Sequence, residues 1–369
     1  MFSKRIFFLS LLTLVFSLSN CSKDDDDNTP TYDIPSTYSF ENVSYSGQLT
    51  RLAMLSELKA YMGTSKTSGV SLDANRLKAM YTNDSANAAW SVEYDASKQL
   101  QNKTFELERT TFLNLFDELA TASQSTVVGS KGVSGVIESL DGTKSYLIGD
   151  DGLDHAQLIE KGLMGACFYY QATSVYFGDD RMNVDNEVVE PGEGTAMEHH
   201  WDEAFGYLGV PIDFPTSTDG VIFWGDYVNK REAVLGNSQS LMNAMLNGRA
   251  AISNDDLDAR DEAIVEARAE WELVSVASTL HYLNESITHF DDMAILGHGL
   301  SEAIAFTYSL KFNEGKKITN SQVDELLVLM GGANTFDQMN LYNVTIENLQ
   351  TAKDRLADFY NLADKKDAF

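Results

Sequence analysis

Basic residues are scarce in this chain of 369 residues. Lys and Arg number 27 against 55 Asp and Glu, which gives a formal net charge of −28. A phosphate backbone needs a basic surface, so this balance argues against nucleic acid as a partner. The acidity suits cations, and it equally suits an exported protein that has to remain soluble. A composition with 43% hydrophobic and 22% charged residues indicates a globular chain, large enough for two domains or one large one.

Several catalytic signatures are also missing. The sequence contains no HExxH, no GxSxG, no P-loop and no Rossmann fingerprint. A zincin-type protease therefore has no support in the sequence, and no nucleophilic triad is indicated by motif spacing.

The N-terminus predicts export. Lys4 and Arg5 precede an apolar run over 6–18 that is too short to span a bilayer, which is typical of a secretory signal. The run ends in Leu18-Ser19-Asn20-Cys21, which resembles a bacterial lipobox. We therefore expect a signal peptide over residues 1–20 and a lipid on Cys21, which would attach the protein to a membrane. The alternative is an ordinary signal peptide with an incidental cysteine.

Residues 21–35 predict a flexible tether. Asp24 to Asp27 form an acidic run that cannot pack, and Pro30 and Pro35 discourage regular structure. The acidic run resembles the export signal of surface-exposed lipoproteins of Bacteroidota, which implies the outer face of the outer membrane. A plain spacer facing the periplasm is the alternative. With Cys21 lipidated, Cys167 stands alone in an apolar stretch, and we expect it to be a small buried side chain.

The remaining chain, 36–369, predicts an all-α protein built from helix bundles in two lobes, with a division near 190–218. No proline follows Pro215, and apolar residues recur at helical spacing in many segments, most clearly over 105–119, 155–177, 256–290 and 294–312. A Gly- and Ser-rich segment near 125–150 carries valine clusters and predicts a short hairpin or irregular insert.

Ligand-type side chains are densest in one short segment. Glu198, His199, His200, Asp202 and Glu203 occur within six residues, and helical spacing places His200 and Glu203 on one face. Imidazole and carboxylate together suit iron, zinc or manganese, and helix bundles build metal sites from such inward-facing pairs.

Two structural readings compete with this interpretation. Thr195 and Glu198 have the spacing of a capping box, which would engage Glu198 at the start of a helix. His298 and Glu302 lie four residues apart in an apolar helix and either bond to neighbours or help to hold a ligand. If the helix with residues 198–203 meets the helix with residues 298–302, six side chains form one metal site: His200, Glu203, Glu198, His199, His298 and Glu302.

The segment HHWDEAFGYLG carries a resemblance to the imelysin-like family. The family signature is G-x-H-x-x-E; His200 and Glu203 match it, and Glu198 stands at the glycine position. The resemblance implies a two-lobed helical fold over residues 36–369, a role linked to iron acquisition, and His200 and Glu203 as metal ligands.

We therefore expect a surface or periplasmic lipoprotein that binds iron or another divalent metal, or a metal complex, without turnover. Its partners would be the outer membrane, through Cys21, and a TonB-dependent transporter. One alternative is an accessory or structural lipoprotein docked on such a transporter. The other is a metallopeptidase, which would need an open metal position and a general base.

Overall fold

The computed structural model describes residues 31–369. The predicted signal peptide, the lipidated Cys21 and most of the tether lie outside the described residues. Ile34–Phe369 form one compact unit, and the segment 190–218 lies within it.

The fold is all-α, as predicted. The described residues form thirteen α-helices and one small sheet. Their bounds are α1 Ser46–Gly63, α2 Ala74–Thr82, α3 Ser85–Ala88, α4 Arg109–Ser123, α5 His155–Leu163, α6 Asp179–Met182, α7 Ala196–Gly206, α8 Trp224–Leu235, α9 Ser238–Ser253, α10 Leu257–Thr288, α11 Met293–Ser309, α12 Asn320–Gly331 and α13 Ile346–Tyr360.

The predicted hairpin is present. Strand β1 (Gly135–Glu138) pairs antiparallel with β2 (Ser145–Ile148), with Gly135 opposite Ile148. Asp141 organises the connection, because its Oδ1 accepts hydrogen bonds from Ser139 Oγ at 2.6 Å and from the Thr143 amide at 2.9 Å. The hairpin contacts α11 and places Tyr146 beside that helix.

Helix α10 is the central element. Its 32 residues correspond closely to the predicted 256–290 helix, and Asp256 caps its N-terminus by accepting from the Ala259 amide. It packs against α8, α9, α11 and α13. Its second half is the more buried half, in agreement with the change from charged to apolar sequence.

One predicted helix differs from a regular α-helix. Helix α5 continues as two π-helical segments, Met164–Tyr169 and Gln171–Tyr176. Side chains from other helices bind carbonyl groups there: Trp224 Nε1 donates to Met164 O at 2.8 Å, and Arg268 Nε donates to Thr173 O at 2.7 Å. These external donors satisfy carbonyls in the wider turns.

Cys167 lies in the first π-helical segment and is fully buried and free, as predicted. Burial raises the pKa of its thiol to about 12, so the thiol stays protonated at neutral pH and behaves as an apolar side chain.

Candidate functional site

Helix α7 presents the segment that is richest in ligand-type residues. Thr195 and Glu198 form the predicted capping box: the Glu198 amide donates to Thr195 Oγ1 at 3.2 Å, and the Thr195 amide donates to Glu198 Oε2 at 2.9 Å. The box fixes where the helix begins and therefore which residues share each of its faces.

One face of α7 is buried against α9. Arg249 Nε lies 2.9 Å from Asp202 Oδ1, and Arg249 Nη1 lies 2.5 Å from Glu198 Oε1. The Arg249 and Asp202 side chains are completely buried, and Tyr38 OH donates to Asp202 Oδ1 at 2.8 Å. Burial raises the pKa of Asp202, and the charge of Arg249 opposes that rise. Both carboxylate oxygens of Glu198 are thus engaged in structural contacts.

The packing of this face depends on one glycine. Trp201 projects from α7 onto Gly248 of α9, and a Cβ atom at position 248 would overlap the indole ring. Trp201 is fully buried, and its Nε1 donates to Met245 O at 3.0 Å. The absence of a side chain at Gly248 lets the two helices approach closely enough for Arg249 to reach α7.

The other face of α7 is partly open. Glu203 Oε2 lies 3.2 Å from His200 Nδ1 and 4.0 Å from His199 Nε2. The side chains of His199 and His200 are 28% and 15% exposed, so both rings border solvent. Glu203 Oε1 accepts hydrogen bonds from Gln48 Nε2 at 2.7 Å and from Tyr176 OH at 3.0 Å.

Glu203 remains a carboxylate at any physiological pH. Burial alone would raise its pKa, but the hydrogen bonds from His200 and Gln48 and the charge of Lys103 lower the pKa to about 2. A carboxylate only accepts hydrogen bonds, so His200 Nδ1 is the donor in the contact with Glu203. In the neutral imidazole this places the lone pair on Nε2. A carboxylate that fixes the tautomer of an imidazole in this way is a common feature of metal-ligating histidines.

Two cations border this open face. Arg181 Nη1 lies 3.5 Å from His200 Nε2, and Lys103 Nζ donates to Tyr176 OH at 2.8 Å. Burial lowers the pKa of Lys103, and the charge of Glu203 opposes that change. The surroundings of the His–Glu pair therefore carry positive as well as negative charge.

The His298 and Glu302 pair of α11 has a different environment. His298 Nδ1 lies 2.9 Å from Asp154 Oδ2, and His298 Nε2 lies 3.8 Å from Glu302 Oε1. The imidazole stacks on Tyr146 of β2 with ring centroids 3.9 Å apart. Asp154 also caps α5, since its Oδ1 accepts from the Ala156 and Gln157 amides.

Buried charges extend from this pair toward α1. Lys161 Nζ lies 2.5 Å from Glu160 Oε1 and 3.6 Å from Glu302 Oε1, and Lys59 Nζ lies 2.9 Å from Glu160 Oε1. Burial opposes ionisation of both α5 residues, but their mutual attraction raises the pKa of Lys161 and lowers that of Glu160. The sequence interpretation did not include these residues, although adjacent opposite charges within the apolar 155–177 segment were a visible signal.

These charges border a cleft of about 520 Å³. It lies among α1, α5, α8, α10 and α11. Its lining includes the lysines Lys59, Lys66, Lys161 and Lys230, the acids Glu160, Asp226 and Glu302, and the aromatic residues Phe223, Tyr227 and Tyr282. Four lysines around one cleft stand out in a chain with twice as many acidic as basic residues.

The two His–Glu pairs occupy separate places. Gln48 of α1 contacts Glu203, whereas Lys59 of the same helix contacts Glu160 in the charge network that includes Glu302. Eleven residues of helix correspond to about 16 Å. The structure thus brings together His199, His200 and Glu203 in one place and His298 and Glu302 in another.

Two features are absent from residues 31–369. No group of three or more His, Cys, Asp or Glu side chains in that range is arranged to hold a metal ion. No helix of the described part of the chain is long and apolar enough to cross a membrane.

The fold and the two sites define an all-helical bundle protein with one hairpin insert and a polar cleft. The chain belongs to the family described as Domain of unknown function (DUF4856), whose family model matches residues 35–363. Searches of curated proteins and of solved structures returned no match. The family match gives no imelysin assignment, so the imelysin-like resemblance stays a prediction.

Proposed function

We propose that this protein is an outer-membrane lipoprotein that binds iron or another metal, carried as a negatively charged complex, on the open face of α7. One observation carries the proposal: Glu203 Oε2 faces the imidazole rings of both His199 and His200 on a partly exposed surface. In this arrangement His200 Nε2 points away from Glu203 and toward Arg181, 3.5 Å away. It serves as the nitrogen ligand when Arg181 turns from the ring to the acidic groups of the complex, while Glu203 orients the ring.

The donor set favours a complex over a bare ion. Arg181 and Lys103 repel a free cation, but they attract the acidic groups of a chelate around the metal. The protein would supply one or two imidazole nitrogens, and the chelate would supply the remaining ligands. This division of ligands is compatible with a site that has few protein donors.

The cellular role follows from the N-terminal prediction. A lipid on Cys21 would hold the domain at the outer membrane, and the acidic residues that follow would separate it from the bilayer. We propose that the bound complex passes to a TonB-dependent transporter. A purely accessory lipoprotein on such a transporter, and a metallopeptidase, are the two alternatives, and the experiment below separates them.

The test is metal content by mass spectrometry on the chain from residue 22 onward without a His tag. The protein is measured before and after exposure to ferrous iron, ferric iron, zinc and ferric citrate. We expect near-stoichiometric retention from ferric citrate and loss of retention in a His200→Ala, Glu203→Ala variant. A Glu203→Gln variant keeps the size of the side chain and removes only its charge. Loss of metal retention in this variant as well would show that misfolding is not the cause of the loss.

The matched control is a Glu285→Ala, His289→Ala variant. It removes another His–Glu pair at helical spacing, at the end of α10, and should leave metal retention unchanged. Retention that survives the α7 substitutions contradicts the proposed site. Background retention throughout favours the accessory role, and chelator-sensitive peptide cleavage favours the metallopeptidase.

A further inference from the structure

The lysine-lined cleft is separate from the α7 site: the α1 residues that reach the two places, Lys59 and Gln48, are about 16 Å apart along the helix. We propose that it is a second binding site, for a small carboxylate-bearing molecule that also carries hydroxyl or amino groups. The proposal does not rest on the α7 site, because none of the lysines that line the cleft takes part in that site.

The floor of the cleft carries acceptors without donors. Among residues 31–369, Glu302 Oε2 and Gln157 Oε1 have no hydrogen-bond partner, although both atoms are buried. The two residues are only 4% and 7% exposed. A buried acceptor without a partner is costly, and a ligand that brings hydroxyl or amino donors removes that cost. The floor therefore favours a ligand rich in donors.

The rim of the cleft carries exposed positive charge. The Lys59 and Lys230 side chains are 54% and 50% exposed, and their ammonium groups contact Glu160 and Asp226. Lys66 reaches the same cleft and lies over the Tyr146 ring at 4.9 Å. Exposed ion pairs are weak, so Lys230 is able to turn from Asp226 toward a carboxylate at little cost. Lys59 stays beside the buried Glu160 and contributes its positive charge from there.

The walls and the volume limit the size of the ligand. Phe223, Tyr227 and Tyr282 give the cleft an aromatic side. A volume of about 520 Å³ lies in the range of small-molecule sites. Acceptors on the floor, ammonium groups on the rim and aromatic walls together fit a hydroxy acid or an amino acid, which share donors and a carboxylate in one small molecule.

The test is isothermal titration calorimetry on the chain from residue 22 onward, which contains the whole compact unit. The probes are D-gluconate and L-serine, which combine donors with a carboxylate, and D-sorbitol and succinate, which carry only donors or only carboxylates. We expect D-gluconate, L-serine or both to bind at least about tenfold more tightly than either comparator. Binding of gluconate identifies a hydroxy acid, and binding of serine identifies an amino acid.

Variants locate the site. Lys59→Gln with Lys230→Gln should weaken binding about tenfold by removing rim charge. Gln157→Leu should weaken binding as well, while its thermal unfolding midpoint stays unchanged or rises, because the substitution removes an unpaired buried acceptor. Lys78→Gln removes one lysine outside the cleft, on an exposed pair with Asp117; it is the control for loss of a surface charge and should bind normally.

The proposal is overturned if no probe gives saturable heat, if sorbitol or succinate binds as tightly as the donor-bearing acids, or if the cleft variants bind like the unaltered chain. The His200→Ala, Glu203→Ala variant should bind the cleft probes normally, and the cleft variants should retain metal normally. A negative result for metal binding at α7 is thereby distinguished from a negative result for ligand binding in the cleft.

Discussion

Helix α7 carries similar side chains on two faces, and the two faces have different roles. Glu198 and Asp202 point toward α9 and form a buried ion-pair cluster with Arg249. Glu203 points the other way, toward two histidines and solvent. Residue type and spacing are alike on both faces, so the partner supplied by another helix decides whether a carboxylate is held in a buried ion pair or lies beside solvent.

The same principle separates the two His–Glu pairs. His298 contacts Asp154 and lies beside a network of buried lysine and glutamate, whereas His200 contacts Glu203 and borders Arg181. Helical spacing predicts that each His meets its Glu, but it does not predict the third group. That third group sets the charge of each site.

The largest expected effect concerns the buried face. An Arg249→Met substitution leaves Asp202 completely buried without a counter-ion, and we expect a loss of about 3–5 kcal/mol in the free energy of unfolding. Urea denaturation measures this loss. Arg355→Met is the control, because Arg355 pairs with Glu325 at an exposed position and should contribute at most about 1 kcal/mol. Equal losses in the two variants would contradict the structural role of the buried face.

The next effect concerns the open face of α7 and is the pH dependence of the free energy of unfolding. The pKa of Glu203 is about 2 in the folded chain and about 4.3 in an unfolded one, so the folded state binds fewer protons. The stability that Glu203 contributes is therefore complete above about pH 4.5 and is lost as the pH falls through about 2, in total roughly 3 kcal/mol.

Urea denaturation at about pH 5 and about pH 3 should show a shallower decline for Glu203→Gln than for the unaltered chain. Glu347→Gln, a substitution in the first turn of α13, serves as the control. A Glu203→Gln variant with the same pH dependence as the unaltered chain would show that this carboxylate is not held ionised by its neighbours.

The smallest expected effect is the difference in stability loss when each of two capping boxes is removed. Glu198 of α7 caps Thr195 and also pairs with Arg249, whereas Gln322 of α12 only caps Thr319. Glu198→Ala should cost about 2 kcal/mol and Gln322→Ala about 1 kcal/mol or less, because only the first leaves a buried cation short of a partner. Thermal unfolding measures both. A greater loss for Gln322→Ala would reverse the ranking of the two boxes.

The helical fold was predictable because it depends on local pattern. The long α10 helix, the hairpin between 135 and 148 and the capping box before α7 all follow from periodicity or from residues a few positions apart. Burial of Cys167 followed in the same way from its apolar surroundings.

The parts that could not be predicted depend on contacts distant in sequence. Arg249 reaches α7 from 47 residues away, and Trp224 donates to the π-helical Met164 carbonyl from 60 residues away. The charge network of Glu160 and Lys161 depends on Lys59 and Glu302, which no local rule connects to it. Side-chain spacing located His200 with Glu203 and His298 with Glu302, but the distance between the pairs required the fold.

The contact between Trp201 and Gly248 has a consequence for binding. The Trp201 ring occupies the space that a Cβ atom at position 248 would need. Helix α7 therefore cannot rotate about its axis without moving away from α9. His199, His200 and Glu203 are therefore displayed on a surface that is already in its final shape. A ligand that binds there meets a preorganised receptor, and little of its binding free energy is consumed by reorganisation of the protein.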